Sequence, residues 1–106
     1  MLVAAQNGAR QLCIFEQWIA PGAGAPTHSH RVEEVLTVRD GEAEMWLDEE
    51  RIGLSAGQSL LVPAGCRHGF RNAGTTILHL QAVLASPVFE AMMDDATEPT
   101  RRWDTP

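Results

Sequence analysis

The chain contains neither lysine nor tyrosine. Because a Schiff base needs a lysine amine, covalent catalysis of that kind is excluded, and no phenol is available as a general acid or base. The two cysteines, Cys13 and Cys66, are too few for a disulfide framework and too far apart for a zinc-knuckle pair, which fits a reducing compartment. No segment approaches the ~18 apolar residues of a membrane helix. We therefore expect a cytoplasmic protein without a membrane partner.

Basic residues are also scarce, since eight arginines stand against 14 acidic residues and the net charge is −6. The arginines form no basic stripe, so we do not expect nucleic acid as a partner either. A chain of 106 residues has room for one domain with one core. Its nine glycines and six prolines are spread along the chain, a distribution typical of many short strands joined by turns.

Runs of β-branched and aromatic residues between these turns predict an all-β barrel over about residues 11–85, followed by a C-terminal appendage over about 86–106. Asp40-Gly41 separates two such runs and predicts a tight hairpin that pairs residues 32–39 with residues 42–48. The Pro- and Gly-rich residues 21–26 predict an irregular loop. In the appendage, residues 88–96 have helical character, and Trp103 is the natural anchor for the polar end.

Three of the four histidines occupy positions from which they can share a site. His28 and His30 are two residues apart, so both project from one face of an extended segment, and Glu34 has the same parity if that geometry persists. His68 follows a Pro-x-Gly turn and is expected on a neighbouring strand. Imidazoles with a carboxylate suit iron, manganese, nickel, zinc, cobalt or copper. Glu33 has the opposite parity and is expected to be solvated.

The predicted hairpin surrounds Glu34 with apolar side chains. The face that it shares with Glu34 consists of Leu36, Val38, Ala43, Met45 and Leu47. A carboxylate among hydrophobic groups is costly unless it is paired or bound to metal. Because Phe70 shares the parity of His68, we take Phe70 together with Leu36, Val38, Met45 and Leu47 as candidates for the lining of a pocket.

The chain resembles the cupin superfamily at ten motif positions between residues 22 and 72. The run Gly22-x5-His28-x-His30-x3-Glu34-x6-Gly41 is similar to the first cupin motif. The run Gly57-x5-Pro63-x-Gly65-x2-His68-x3-Asn72 is similar to the second. The resemblance implies a small single-domain cupin with a double-stranded β-helix (jelly-roll) barrel, in which these three histidines and the glutamate hold one divalent transition-metal ion. The ligand set does not fix which metal it is.

The fourth histidine, His79, lies in the middle of a strand with no ligand spacing to the others. If His79 and Gln81 face the barrel interior, both line the pocket. The alternating leucines Leu78, Leu80 and Leu84 then face outward, where a second subunit would most simply cover them. If the leucines face inward, His79 is a surface residue. We keep His79 and Gln81 as pocket candidates and expect a homodimer.

The expected function is that of a metal-dependent enzyme acting on a small, partly apolar organic molecule. The resemblance favours dioxygenase-type oxidation, while isomerase, decarboxylase or lyase chemistry stays open, except for lyases that rely on a catalytic tyrosine. The alternative is a non-catalytic module that binds or senses a metal and a small ligand. A general acid or base beside the open metal positions would favour the enzyme, and a sealed pocket without one would favour the binding module.

Overall fold

The computed structural model describes residues 1–105, which form two antiparallel β-sheets after a short 3₁₀ helix at Ala5–Asn7. Within these residues there are ten strands: β1 (Cys13–Ile19), β2 (Gly24–Ser29), β3 (Glu34–Asp40), β4 (Glu42–Leu47), β5 (Glu50–Ser55), β6 (Ser59–Val62), β7 (His68–Asn72), β8 (Leu78–Leu84), β9 (Phe89–Met93) and β10 (Thr100–Arg102). The four-stranded sheet has the order β1-β8-β3-β6, and the six-stranded sheet has the order β10-β9-β2-β7-β4-β5. The predicted all-β class is confirmed.

The core lies between the two sheets and is built by strand alternation. Strand β8 shows the pattern most clearly, because Leu78, Leu80 and Leu84 are at most 1% exposed while His79 and Gln81 between them are only half-buried. Each leucine buried in this way contributes about 1.5–3 kcal/mol relative to an exposed one. The leucines therefore face inward, and no outward leucine stripe exists on β8.

The predicted hairpin between β3 and β4 is wrong. Strand β3 pairs with β6 and β8 in one sheet, whereas β4 pairs with β5 and β7 in the other. A two-residue type I′ hairpin needs positive φ at both central residues, but of this pair only Gly41 has it, with φ of 91°. Asp40-Gly41 therefore carries the chain from one sheet into the other.

Two further sequence-based predictions are corrected at the six-stranded sheet. Residues 24–26, expected in a loop, belong to β2, and residues 88–96, expected to be helical, contain β9. Strand β9 forms because one edge of β2 still has unpaired backbone groups, which β9 meets through Met93 opposite His28. Trp103 anchors the end of the chain by packing against Phe15 and Phe89, with ring centroids 5.1 and 5.7 Å away.

No helix within the described part of the chain is long and apolar enough to cross a membrane.

The turn at Gly41 provides a test of the cross-over between the sheets. A Cβ added at Gly41 would lie 2.9 Å from the carbonyl oxygen of Ile77, in a backbone conformation that alanine avoids. We expect Gly41→Ala to lower the free energy of unfolding in urea by about 2 kcal/mol or more. The control is Gly53→Ala, since a Cβ at Gly53 meets nothing within 4 Å and φ there is ordinary. Equal stability of the two variants would contradict this account.

Candidate metal centre

Three histidines from the six-stranded sheet meet one glutamate from the four-stranded sheet. His28 on β2 and His68 on β7 are direct cross-strand partners, and His30 lies just beyond the end of β2. Glu34 is the first residue of β3. All four are buried, with exposed fractions between 1% and 7%. The structure thus brings together the four residues that the sequence nominated.

The path by which Glu34 reaches the site differs from the prediction. Residues 30–33 are not in a strand, and across them the chain passes from one sheet to the other. Pleat parity therefore relates His28 to His30 but does not extend to Glu34, which approaches the histidines from the opposite sheet. Glu33 is exposed, as expected.

The backbone fixes the orientation of all three imidazoles. In each ring Nδ1 lies within hydrogen-bond distance of a main-chain carbonyl oxygen. The acceptors are Pro26 at 2.6 Å from His28, Glu90 at 2.7 Å from His30 and Cys66 at 2.9 Å from His68. Because a carbonyl only accepts, Nδ1 must carry the proton and donate it. A neutral ring then has its lone pair on Nε2, the tautomer that metal-ligating histidines adopt.

The Glu34 carboxylate lies close enough to two of these histidines to favour a cation between them. Its Oε1 lies 3.1 Å from Nε2 of His68 and 3.4 Å from Nε2 of His30. Nε2 of His30 is buried without a hydrogen-bond partner among the described residues. Two lone pairs and an anionic oxygen at such distances repel one another unless a proton or a metal ion lies among them.

The pKa shifts follow from burial and from this mutual contact. Burial raises the pKa of Glu34, but the hydrogen bonds and positive charge offered by His30 and His68 outweigh it and lower that pKa to about 2. Burial lowers the pKa of His30, yet the Glu34 carboxylate next to it produces a net rise. Burial dominates at His28, and its pKa falls. The contact with His30 and His68 therefore favours the ionised form of the Glu34 carboxylate.

The donor set fits a divalent transition-metal ion. One ligand nitrogen from each of His28, His30 and His68 lies within 4.8 Å of the others. Glu34 lies beside this trio rather than within it, and its carboxylate would complete a set of three nitrogens and one oxygen. Imidazole and carboxylate are ligands for iron, manganese, nickel, zinc, cobalt and copper alike, so the residues do not select one metal.

A cavity of about 200 Å³ opens onto His28, Glu34 and His68. Its walls are mainly apolar and come from both sheets, including Phe15, Leu36, Phe70, Phe89 and Met93. Gln17 and Arg102 are the polar side chains of the lining besides the site residues. The combination of a polar floor with apolar walls is typical of a small-molecule site.

Of the seven predicted lining residues, the structure places Leu36 and Phe70 on the cavity wall. Val38 and Met45 are completely buried in the core, and Leu47 packs against that core, so none of the three lines this cavity. His79 and Gln81 are on the outer face of the four-stranded sheet. There His79 stacks on Trp18 with ring centroids 4.6 Å apart and lies 3.3 Å from Glu16. The prediction that His79 and Gln81 line the pocket is wrong, because the leucines of β8 take the inward positions.

Sequence reasoning missed the contributions of β1, β9 and β10. In β1, Gln17 shares the parity of the buried Phe15, which was a usable signal for a polar group aimed inward. Phe89 and Met93 were hidden because the apolar spacing of residues 88, 89, 92 and 93 imitates a helix. Arg102 had no sequence signal, since its position depends on where the end of the chain docks.

The chain belongs to the cupin family, because residues 15–84 match the model of the cupin domain. It is 34% identical over 90 residues to the polyketide synthase CurC of Streptomyces cyaneus, covering 80% of this chain and 56% of that protein. An RmlC-like cupin from Shewanella frigidimarina superimposes with a TM-score of 0.67 at 31% identity, over 74% of this chain and 68% of that one. These matches confirm the cupin barrel predicted from the two motifs.

More distant matches share the fold alone. Recombinant oxalate oxidase, solved in complex with glycolate, superimposes with a TM-score of 0.73 at 22% identity, over 78% of this chain and 46% of that one. The chain spans about half the length of the curated relatives it matches, with 56%, 46% and 63% of their lengths covered. The activities of those proteins therefore do not transfer directly to this chain.

Removing a ligand should abolish metal binding. We expect wild-type protein reconstituted with zinc to retain about one ion per chain, and His30→Ala and Glu34→Ala each to lose stoichiometric binding. The measurement is elemental analysis after desalting. His79→Ala is the matched control, because the fourth histidine lies on the outer face of the sheet and its loss should leave the metal content unchanged. Retention of the ion by both ligand variants would show that the site is elsewhere.

Proposed function

We propose that the protein is a metal-dependent enzyme that acts on a small, partly apolar organic molecule, with dioxygenase-type oxidation as the favoured reaction. The observation that carries the proposal is the convergence of ligand atoms from His28, His30 and His68 with the Glu34 carboxylate, beside an accessible, largely apolar cavity. A six-coordinate ion held by four protein ligands would keep two positions open. A structural zinc ion is instead four-coordinate, so four protein ligands would close its site.

In this proposal each part of the chain has a separate task. His28, His30 and His68 hold the ion with rings that their Nδ1–H bonds keep from turning. The aromatic walls pack against the apolar body of the substrate and keep bulk water from it. When bound, a redox-active ion such as iron would supply the electronic coupling between dioxygen and the organic molecule.

The polar lining favours oxidation over proton-transfer chemistry. Among residues 1–105, the cavity is lined by no carboxylate or imidazole outside the proposed ligands, and Gln17 and Arg102 are poor acids and bases at neutral pH. Isomerases and lyases need such a group. A dioxygenase transfers both atoms of dioxygen to the substrate, so dioxygen is itself the oxidant and no separate reductant is needed.

The alternative is a non-catalytic module that binds a metal together with a chelating ligand. It is favoured by the same lack of a general acid or base at the cavity. The cavity is not sealed, however, because Arg102 at its edge is exposed to solvent. A small molecule can therefore enter and leave, as turnover requires.

Reconstitution under anaerobic conditions distinguishes the two functions. Protein loaded with Fe(II), Mn(II), Ni(II) or Zn(II) is mixed with a panel of small aromatic and aliphatic acids, ketones and diols, and oxygen uptake and product formation are measured. We expect oxygen uptake with Fe(II) that His30→Ala abolishes. Absence of turnover with every metal would favour the alternative function, the non-catalytic binding module.

We also propose a cytoplasmic location, because both cysteines are unpaired within the described residues, and a reducing compartment would keep iron ferrous.

We also propose a homodimer formed through the outer face of the four-stranded sheet. An apolar row crosses all four strands in register, with Ile14 opposite Val83, Val83 opposite Val35 and Val35 opposite Leu61. Val35 and Leu61 are 37% and 52% exposed, and Trp18 on the same sheet is 64% exposed. A row of uncharged side chains meets a second copy of itself without like-charge repulsion, as a two-fold interface requires. The reason given from the sequence, an outward leucine stripe, does not apply.

The interface can be tested by light scattering coupled to size exclusion. We expect the native protein to have the mass of a dimer and Val35→Asp to have that of a monomer, because a buried unpaired carboxylate costs several kcal/mol. The control is Met92→Asp, which alters a residue of equal exposure, 37%, on the other sheet. A monomeric native protein, or a dimeric Val35→Asp variant, would refute this interface.

A further inference from the structure

We propose that Arg102 recognises the carboxylate of the ligand, so that the cavity takes a small organic monoanion with an apolar body. This inference rests on the proposed function, because it takes the cavity beside the histidines as the ligand site. It adds a substrate class and names a positioning residue outside the cupin motifs.

Strand alternation separates Arg101 from Arg102. In β10, Arg101 is paired with Glu90 of β9, and Arg102 is paired with Phe89. The guanidinium of Arg101 is held by the carboxylates of Glu90 and Asp104, on the side away from the cavity next to the histidines. Arg102 has the opposite parity and lines that cavity together with Phe89.

Arg102 lies over an aromatic ring and has no acidic partner within residues 1–105. Its Cζ lies 5.6 Å from the centroid of the Phe89 ring, within the range of a cation–π contact. Among residues 1–105, no carboxylate lies within 4.0 Å of its guanidinium nitrogens, whereas Arg101 has two such partners. A guanidinium offers five N–H donors in a planar fork that matches a carboxylate. Those of Arg102 are available to a ligand.

The rest of the lining selects a ligand that is charged at one end only. Phe15, Leu36 and Phe70 supply apolar parts of the wall, and Gln17 adds one neutral hydrogen-bonding group. The volume of about 200 Å³ admits a single ring or a short chain. A polyanion would have to bury a second charge against these apolar side chains, which is unfavourable.

A bound metal would make the floor of the cavity more attractive to an anion. The Glu34 carboxylate is ionised and would repel an anionic ligand by itself. A bound divalent ion would add two positive charges to the floor. Metal binding and carboxylate binding should therefore support each other, with Arg102 providing the part of the attraction that is independent of the metal.

Benzoate and its uncharged analogue benzamide are suitable probes, because they differ in charge but scarcely in size. Their binding to the zinc-loaded protein is measured by titration calorimetry, and zinc avoids any redox reaction. We expect the native protein to bind benzoate about tenfold or more tightly than benzamide. Arg102→Gln should lose about tenfold in benzoate affinity and keep its benzamide affinity, and Arg102→Lys should recover part of the loss.

Arg101→Gln is the matched control, because it removes the same charge from the neighbouring residue on the other face of β10 and should leave benzoate binding unchanged. Unchanged benzoate affinity in Arg102→Gln, equal losses in Arg101→Gln and Arg102→Gln, or no preference of the native protein for benzoate would each overturn the proposal. Zinc content measured on the same samples reports on the proposed function separately. Loss of zinc from native protein would refute that function, while the comparison of Arg102→Gln with Arg101→Gln in metal-free protein would still test Arg102.

Discussion

The buried carboxylate of Glu34 and the imidazole lone pairs facing it form the contact on which the rest of the site depends. Placing a carboxylate in a protein interior costs several kcal/mol unless opposite charge or hydrogen bonds compensate it. None of the three rings can turn to donate its Nδ1 proton to the Glu34 carboxylate, because the main-chain carbonyl groups of Pro26, Glu90 and Cys66 already accept these protons. A bound cation would relieve the repulsion and would give a partner to His30 Nε2, a buried nitrogen that has none among the described residues. The fold thus holds an arrangement that a metal ion could stabilise.

This arrangement exists only while the two sheets keep their relative position. His28 and His68 belong to the six-stranded sheet, His30 directly follows strand β2 of that sheet, and Glu34 belongs to the four-stranded one. A main-chain hydrogen bond of 2.7 Å from the Gly65 amide to the His30 carbonyl joins the turn before β7 to the segment that crosses between the sheets. It connects the two cupin motifs next to the ligands. Gly65 has φ of 79°, a conformation that glycine adopts without strain, so its place in the motif has a structural reason.

Local chemistry made part of this site predictable. Two histidines at i and i+2 share a face in any extended segment, so His28 and His30 followed from their spacing. Glu34 lies beside His30 and His68 although the strand argument fails across residues 30–33, because the motif resemblance carried information that parity did not. The hairpin and the helix at 88–96 were wrong for a common reason. Which strand pairs with which is decided by backbone groups left open elsewhere in the barrel, such as the edge of β2 that β9 fills, and that information is not local.

The two motifs determine the proposed metal ligands but leave most of the cavity walls undetermined. Every proposed ligand lies within the motifs, but the cavity walls come largely from outside them: Phe15 and Gln17 from β1, Phe89 and Met93 from β9, and Arg102 from β10. Strand β9 contributes twice, since its Glu90 carbonyl orients His30 and its side chains shape the cavity. A substitution at residues 15, 17, 93 or 102 can therefore change which molecule fits without disturbing the ligand set. That separation explains how one barrel could accommodate different small molecules, and why the motifs alone indicate the candidate metal centre but not the molecule that would bind beside it.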